Sequence, residues 1–251
     1  MRLFLLASTL LVSFVLAWLG HRLVARYIRR VSFFKPLRAT CVSCAQTVSW
    51  REQIPVVGPL LVKGHCPQCG VLYPWSLWAL QAVLLVIPWV VWWRDASWVW
   101  VIGLSGMAIL AAIDSEIKRV PRSISYPLLA IGVLNMSRFS DPRPVILWAL
   151  LAYGALMLLR LLARLLMKQE ALGMGDVLMA AMMVLWFGPY VGIVGMGLGI
   201  GWAGLVVGIG WARGRIKPGD RVALVPFLLG GVWGCGVLQW LVSWGQIRGM
   251  F

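Results

Sequence analysis

Eight blocks of apolar residues, several close to the ~20 residues with which an α-helix crosses a bilayer, dominate this chain of 251 residues. Charged residues make up only 12% of it. A soluble globular chain carries about 25%, so there is too little charge here to cover a water-facing surface. The same pattern excludes intrinsic disorder, a secreted disulfide scaffold and a soluble nucleic-acid binder. The sequence predicts an all-α polytopic membrane protein of about eight transmembrane helices.

The blocks fall at 3–19, 75–93, 97–113, 123–136, 145–167, 177–187, 191–212 and 222–244. The first lacks a small-residue cleavage pattern and runs into His21, Arg22, Arg26, Arg29 and Arg30, which marks an uncleaved span with its charged end inside. From 177 to 212 the chain offers 36 residues, too many for one ordinary span. Gly188–Pro189 is the natural break, because proline lacks the amide proton and glycine frees the backbone. The 123–136 block is short and contains Pro127. Glycines at 192, 195, 197, 199, 201 and 204 predict close helix approach in the last third.

Eight spans put the N-terminus outside and the loops 21–74, 114–122, 160–176 and 213–221 inside. Those loops hold 18 of the 23 Lys and Arg residues, and Arg2, Arg94, Arg138, Arg143 and Arg248 hold the other side. That asymmetry follows the positive-inside rule. It also accounts for the formal net charge of +15 without a nucleic-acid partner.

The one long polar stretch, 21–74, carries two Cys-x-x-Cys knuckles, Cys41–Cys44 and Cys66–Cys69, with 21 residues between them. Each knuckle aims two thiolates at one point, and two knuckles make a tetrahedral sulfur site for zinc. A reducing cytoplasm argues against disulfides. A closed four-sulfur site folds a small zinc-ribbon-like insertion and does no chemistry itself. A redox dithiol pair is the competing reading. His65 is a bystander, and Cys235 a buried small hydrophobe.

Only eight acidic residues exist. Asp95, Asp141, Asp220 and Glu170 read as solvated loop charges. Asp114, in Ile113-Asp114-Ser115-Glu116, and Asp176, in Gly173-Met174-Gly175-Asp176, come by span counting to the inner membrane face. Ionisable groups at that depth mark function. The plain alternative is a helix N-cap for Asp176 and a helix-end charge for Asp114, although an acid at a helix C-terminus opposes the macrodipole. Two carboxylates sharing one low-dielectric site are the parts of an aspartyl hydrolase, since only one of them ionises readily. The other class of reading is a proton pathway through the membrane, or a scaffold that does no chemistry.

Together these residues resemble the prepilin (type IV leader) peptidases, membrane aspartyl peptidases of the Gly-x-Gly-Asp type. The resemblance takes in the first helix, both knuckles, Asp114, the Gly-Met-Gly-Asp176 motif, Val225-Pro226-Phe227, and the inter-knuckle run Trp50-Arg51-Glu52-Gln53-Ile54-Pro55-Val56. It implies an inner-membrane enzyme that cleaves the basic leader of prepilins and pseudopilins on the cytoplasmic side, with Asp114 and Asp176 catalytic and Cys41, Cys44, Cys66 and Cys69 holding zinc. It also implies N-methylation of the new N-terminus with S-adenosylmethionine, for which Glu52 is the one polar candidate, the plain alternative for that residue being a salt bridge with Arg51 or Lys63. The implied division is a first helix at 1–20, a cytoplasmic zinc domain at 21–74 with the methyltransferase region, and a peptidase domain at 75–251. The chain departs from the family pattern at Leu178, at Arg122 and in Ser13-Phe14-Val15-Leu16.

Overall fold

A computed structural model describes residues 2–31, 41, 43–47, 49, 51–94, 97–167, 172–217 and 220–248, and the side chains of these except 2–5, 51, 59, 167 and 241–248. Asp95, Glu170 and Trp50 lie outside the described residues. Among those described, regular structure is helical, with one isolated antiparallel bridge between His65 and Leu72. Two compact units divide the chain, 1–117 and 118–251.

The first unit holds α1 (Arg2–Ile28), a short helix α2 (Val57–Leu61), α3 (Trp75–Trp93) and α4 (Val99–Ile117). α1 packs on both α3 and α4. Its buried face is narrow and small-sided, with Thr9, Ser13, Ala17, Gly20 and Val24 at helical spacing. At Gly20 the helices meet so closely that a β-carbon would collide with Leu84. α3 turns Leu77, Leu80, Leu84, Ile87 and Val91 inward and leaves Trp75, Val86, Val90 and Trp93 on its outer face. α1 runs nine residues past the end of its apolar block, through His21, Arg22 and Arg26. Arginine is a good helix former, and Arg26 is buried within the unit although it lies beyond the apolar block.

The second unit holds α5 (Arg122–Leu134), a 3₁₀ turn at Asn135–Arg138, α6 (Arg143–Met167), α7 (Met174–Phe187), α8 (Pro189–Ala212) and α9 (Val225–Arg248). α7 is its core. Every residue from Val177 to Trp186 is buried, as expected for a helix apolar on all sides, and α5, α6, α8 and α9 all pack on it. The Trp186 indole donates to the Leu128 carbonyl at 3.2 Å, so the one polar atom of that large side chain is satisfied. Gly188, at φ 83, turns the chain from α7 into α8, and Pro189 opens α8 where a missing amide proton costs nothing.

Among the described residues, eight long helices occupy the eight apolar blocks. Five, beginning at Leu6, Trp75, Val99, Arg143 and Pro189, are long and apolar enough to cross a membrane. α7 and the 225–240 part of α9 are shorter apolar helices. α6 faces outward along most of its length, with Leu150, Leu158, Leu165 and Leu166 exposed, the surface a lipid-facing helix presents.

Candidate active site and metal centre

The two knuckles fold as near copies of each other. In the first, the Cys41 amide donates to the Gln46 carbonyl at 2.9 Å, and the Ala45 amide donates back to Cys41. In the second, the Cys66 amide donates to Val71 at 2.9 Å and Gly70 donates back to Cys66 at 2.8 Å. Ala45 and Gly70 hold the same left-handed position, at φ 65 and φ 69. Glycine takes that conformation freely, and alanine does so at a cost.

All four Sγ atoms lie within 4.8 Å of one another. The Cys41–Cys69 and Cys44–Cys66 pairs are each separated by 3.9 Å. Zinc–sulfur bonds of about 2.3 Å in a regular tetrahedron put the sulfurs about 3.8 Å apart. The donor set and its spacing therefore fit a zinc ion. Burial alone would raise the Cys66 thiol, but the amides of Cys69 and Gln68 and the neighbouring thiols bring it down to about 7. Burial pushes Cys41 up. At Cys69 the Val71 amide favours the thiolate, yet desolvation and the other three thiols outweigh it and raise the group to about 11. His65 stands outside the cluster, its Nδ1 2.7 Å from the Lys63 carbonyl oxygen, and Cys235 is buried in α9.

Beside Cys66 opens a polar cleft of about 100 Å³ lined by Gln46, Thr47, Ser49, Glu52, Pro67 and Gln68. Glu52 sits in a 3₁₀ turn, and its carbonyl abuts Gly58 so tightly that a β-carbon there would clash. The Val56 amide then donates to the buried Gln81 of α3 at 2.9 Å, which hangs the inter-knuckle segment on that helix.

Asp114 lies in the last turn of α4, 4% exposed and flanked by the buried Ile113 and Leu110. Asp176 is half-buried at the third position of α7, where its Oδ2 accepts the Gly173 amide at 3.1 Å. Gly173 is thus the N-cap, and the Asp176 amide donates to its carbonyl at 3.2 Å. Gly175 packs against Val120, six residues beyond Asp114 in the chain; a β-carbon at Gly175 would sit 2.8 Å from Val120 Cγ2 and closer still to its Cβ. Sequence reasoning missed this contact and the role of Glu116, whose carboxylate accepts a hydrogen bond from Ser76 forty positions away.

Comparison with known proteins gives two consecutive family matches. Residues 6–94 match the bacterial peptidase A24 N-terminal domain, and residues 101–235 match the type IV leader peptidase family. A prepilin leader peptidase/N-methyltransferase of Klebsiella pneumoniae is 32% identical over 158 residues, 59% of this chain and 68% of that protein. A type 4 prepilin-like proteins leader peptide-processing enzyme of Escherichia coli O78:H11 (strain H10407) is 29% identical over 61% of this chain and 59% of its own length. A prepilin leader peptidase/N-methyltransferase of Burkholderia pseudomallei is 27% identical over 77% of this chain and 65% of its own length. The chain thus spans about three fifths to two thirds of these curated relatives. No solved structure matches it.

Proposed function

The chain belongs to the type IV leader peptidase family, and from that membership we propose that it removes the leader of type IV prepilins and pseudopilins by water activation between Asp114 and Asp176. The observation that carries this reading is the setting of the two acids. One is a buried carboxyl in the last turn of a membrane-length helix, and the other follows a glycine pressed onto the segment that leaves that helix. A buried carboxyl at such a place is costly unless it has work to do. The unprotonated acid takes a proton from water as the water attacks the scissile carbonyl, and its protonated partner gives a proton to the departing amine as the C–N bond breaks. Because the pair titrates as a unit, acid and base are roles of the dyad.

Cys41, Cys44, Cys66 and Cys69 would hold a zinc ion, which closes all four positions and fixes the two knuckles together. The division 1–20, 21–74 and 75–251 assigns that segment to a cytoplasmic zinc domain and the rest to the first helix and the peptidase. The N-terminus then lies outside the inner membrane and both sites lie on the cytoplasmic side, in accord with the Lys and Arg distribution. The substrate's apolar helix rests in the bilayer with its basic leader in the cytoplasm.

S-adenosylmethionine, when bound, supplies an electrophilic methyl group for the new N-terminal amine. The cleft beside Cys66 matches it in polar lining and not in volume, so Glu52, Thr47, Ser49 and Gln68 would contact only part of it. Mass spectrometry of a prepilin co-expressed with the chain tests both halves together. Loss of the leader mass reports the peptidase, and a methyl increment reports the transferase. An unchanged prepilin mass refutes the proposal.

A further inference from the structure

Ser76, in the first turn of α3, donates its hydroxyl proton to Oε1 of Glu116. Glu116 stands two residues beyond Asp114 on the last turn of α4. Ser76 is 4% exposed and Glu116 is half-buried, so each would be left costly without the other. The charge also has a reason to be there. At the end of its own helix a carboxylate opposes the macrodipole, whereas the contact with Ser76 sets it at the N-terminal pole of α3, which favours it. That pole is capped by Pro74, which contributes no side-chain bond.

Two neighbouring features show that this turn needs holding. Lys118 follows α4 directly at φ 54, a left-handed conformation that a lysine keeps only where its surroundings impose it. Ser115 bonds inward to the Ala111 carbonyl at 2.9 Å, while Glu116 bonds outward to another helix. α3 is firmly placed for the task. Its start is tied to the second knuckle through the Tyr73 amide, which donates to Gly64 at 2.8 Å, and its middle is tied to Val56 through Gln81.

We propose that Ser76 and Glu116 form a positioning pair, whose hydrogen bond fixes the last turn of α4 and with it the direction of the Asp114 carboxyl. The pair touches no substrate and acts through Asp114. It rests on the reading of Asp114 as one of the two water-activating acids.

The test measures kcat and KM for prepilin cleavage by the full chain reconstituted with its substrate in vesicles. Ser76→Ala and Glu116→Ala should each lower kcat about tenfold or more, since small displacements of a reacting group cost that much, with KM within about twofold. The double variant should lose no more than either single one. Ser76→Thr and Glu116→Gln, which keep donor and acceptor, should recover most of the rate. Ser76→Cys, with a similar volume and a weak donor, serves if the alanine variant does not insert. A kcat within twofold of wild type in both alanine variants, or losses that simply add and that the conservative variants do not restore, overturns the pair. Asp114→Asn separates the two failures. If that variant cleaves normally the reading of Asp114 falls, and if it is inactive while Ser76→Ala is normal only the pairing falls.

Discussion

Gly175 lies against Val120 with no room for a β-carbon between them. One residue further on is Asp176, and six residues back from Val120 is Asp114. Gly175→Ala is therefore expected to lower leader cleavage at least tenfold by forcing this contact apart, with α7 still folded. The nearest atom is the Val120 β-carbon itself, so Val120→Ala gives no relief and Val120→Gly does. Cleavage assays on the single variants and on the Gly175→Ala/Val120→Gly double variant check this. Wild-type rates in Gly175→Ala would show that the close approach has no bearing on the acids.

Substitution separates the observed bond of Asp176 from the catalytic role proposed for it. The bond to the Gly173 amide caps α7, a contribution of about 1 kcal/mol, and asparagine keeps an oxygen in that place. Asp176→Asn should insert with wild-type stability and cleave no prepilin, while Asp176→Ala should also melt earlier. Asp114→Asn should likewise be inactive, and at least as stable, because it removes a buried ionisable group. The double variant should be no slower than either single one, as for residues that act as a unit. Substrate mass and thermal melting in micelles read all four. Cleavage at the normal rate in either asparagine variant would rule out the dyad.

Zinc binding by the cysteine cluster should release protons in a pH-dependent number. A thiol must lose its proton to ligate. Cys41 and Cys69, both raised, surrender theirs to the metal across the physiological range, whereas Cys66, at about 7, is mostly ionised already at pH 8. Between pH 8 and pH 6 the count should therefore rise by about one, and apparent affinity should fall in step. Calorimetry in buffers of differing ionisation enthalpy measures the count directly. A count that stays flat over that interval would contradict the assignment of Cys66. Removing the metal should also expose the amides of Cys41, Ala45, Cys66 and Gly70 to hydrogen exchange.

The features legible in the sequence were those written in adjacent residues. Cys41-x-x-Cys44 and Cys66-x-x-Cys69 announce a four-sulfur cluster because each turn is local, and the cluster forms. The apolar blocks announce helices because a bilayer admits little else, and a helix stands at each block. Boundaries were harder. Arg22 and Arg26 read as the end of the first helix, yet it continues to Ile28, because charge ends an apolar run without ending backbone hydrogen bonding. Contacts between distant residues left no local trace. Nothing near Glu116 points to Ser76, and Ala45 stands where the second knuckle has Gly70, so the symmetry of the two turns shows only in their dihedral angles. Asp176 carried an ambiguous signal, since an acid three residues past a glycine serves a cap and a catalyst equally well.

The glycines of α8 divide into two groups that composition cannot tell apart. At Gly199 an added β-carbon would lie 2.8 Å from the Leu228 Cα, and at Gly195 it would meet Val232 in the same way. Gly231 on α9 returns the contact, facing Gly195 and Gly199. Backbone is what blocks the space, so no side-chain rotation can absorb the change. Gly197, Gly201, Gly204 and Gly208 face open space. Gly199→Ala should therefore separate α8 from α9 and destabilise the second unit by about 1–3 kcal/mol. Gly201→Ala should be neutral or stabilising by up to about 1 kcal/mol, through the lower backbone entropy of the unfolded chain. Unfolding of the two variants in mixed micelles compares them directly. Equal stabilities would mean that close α8–α9 packing contributes nothing, whereas the expected difference would assign the motif's work to alternate glycines on one face of one helix.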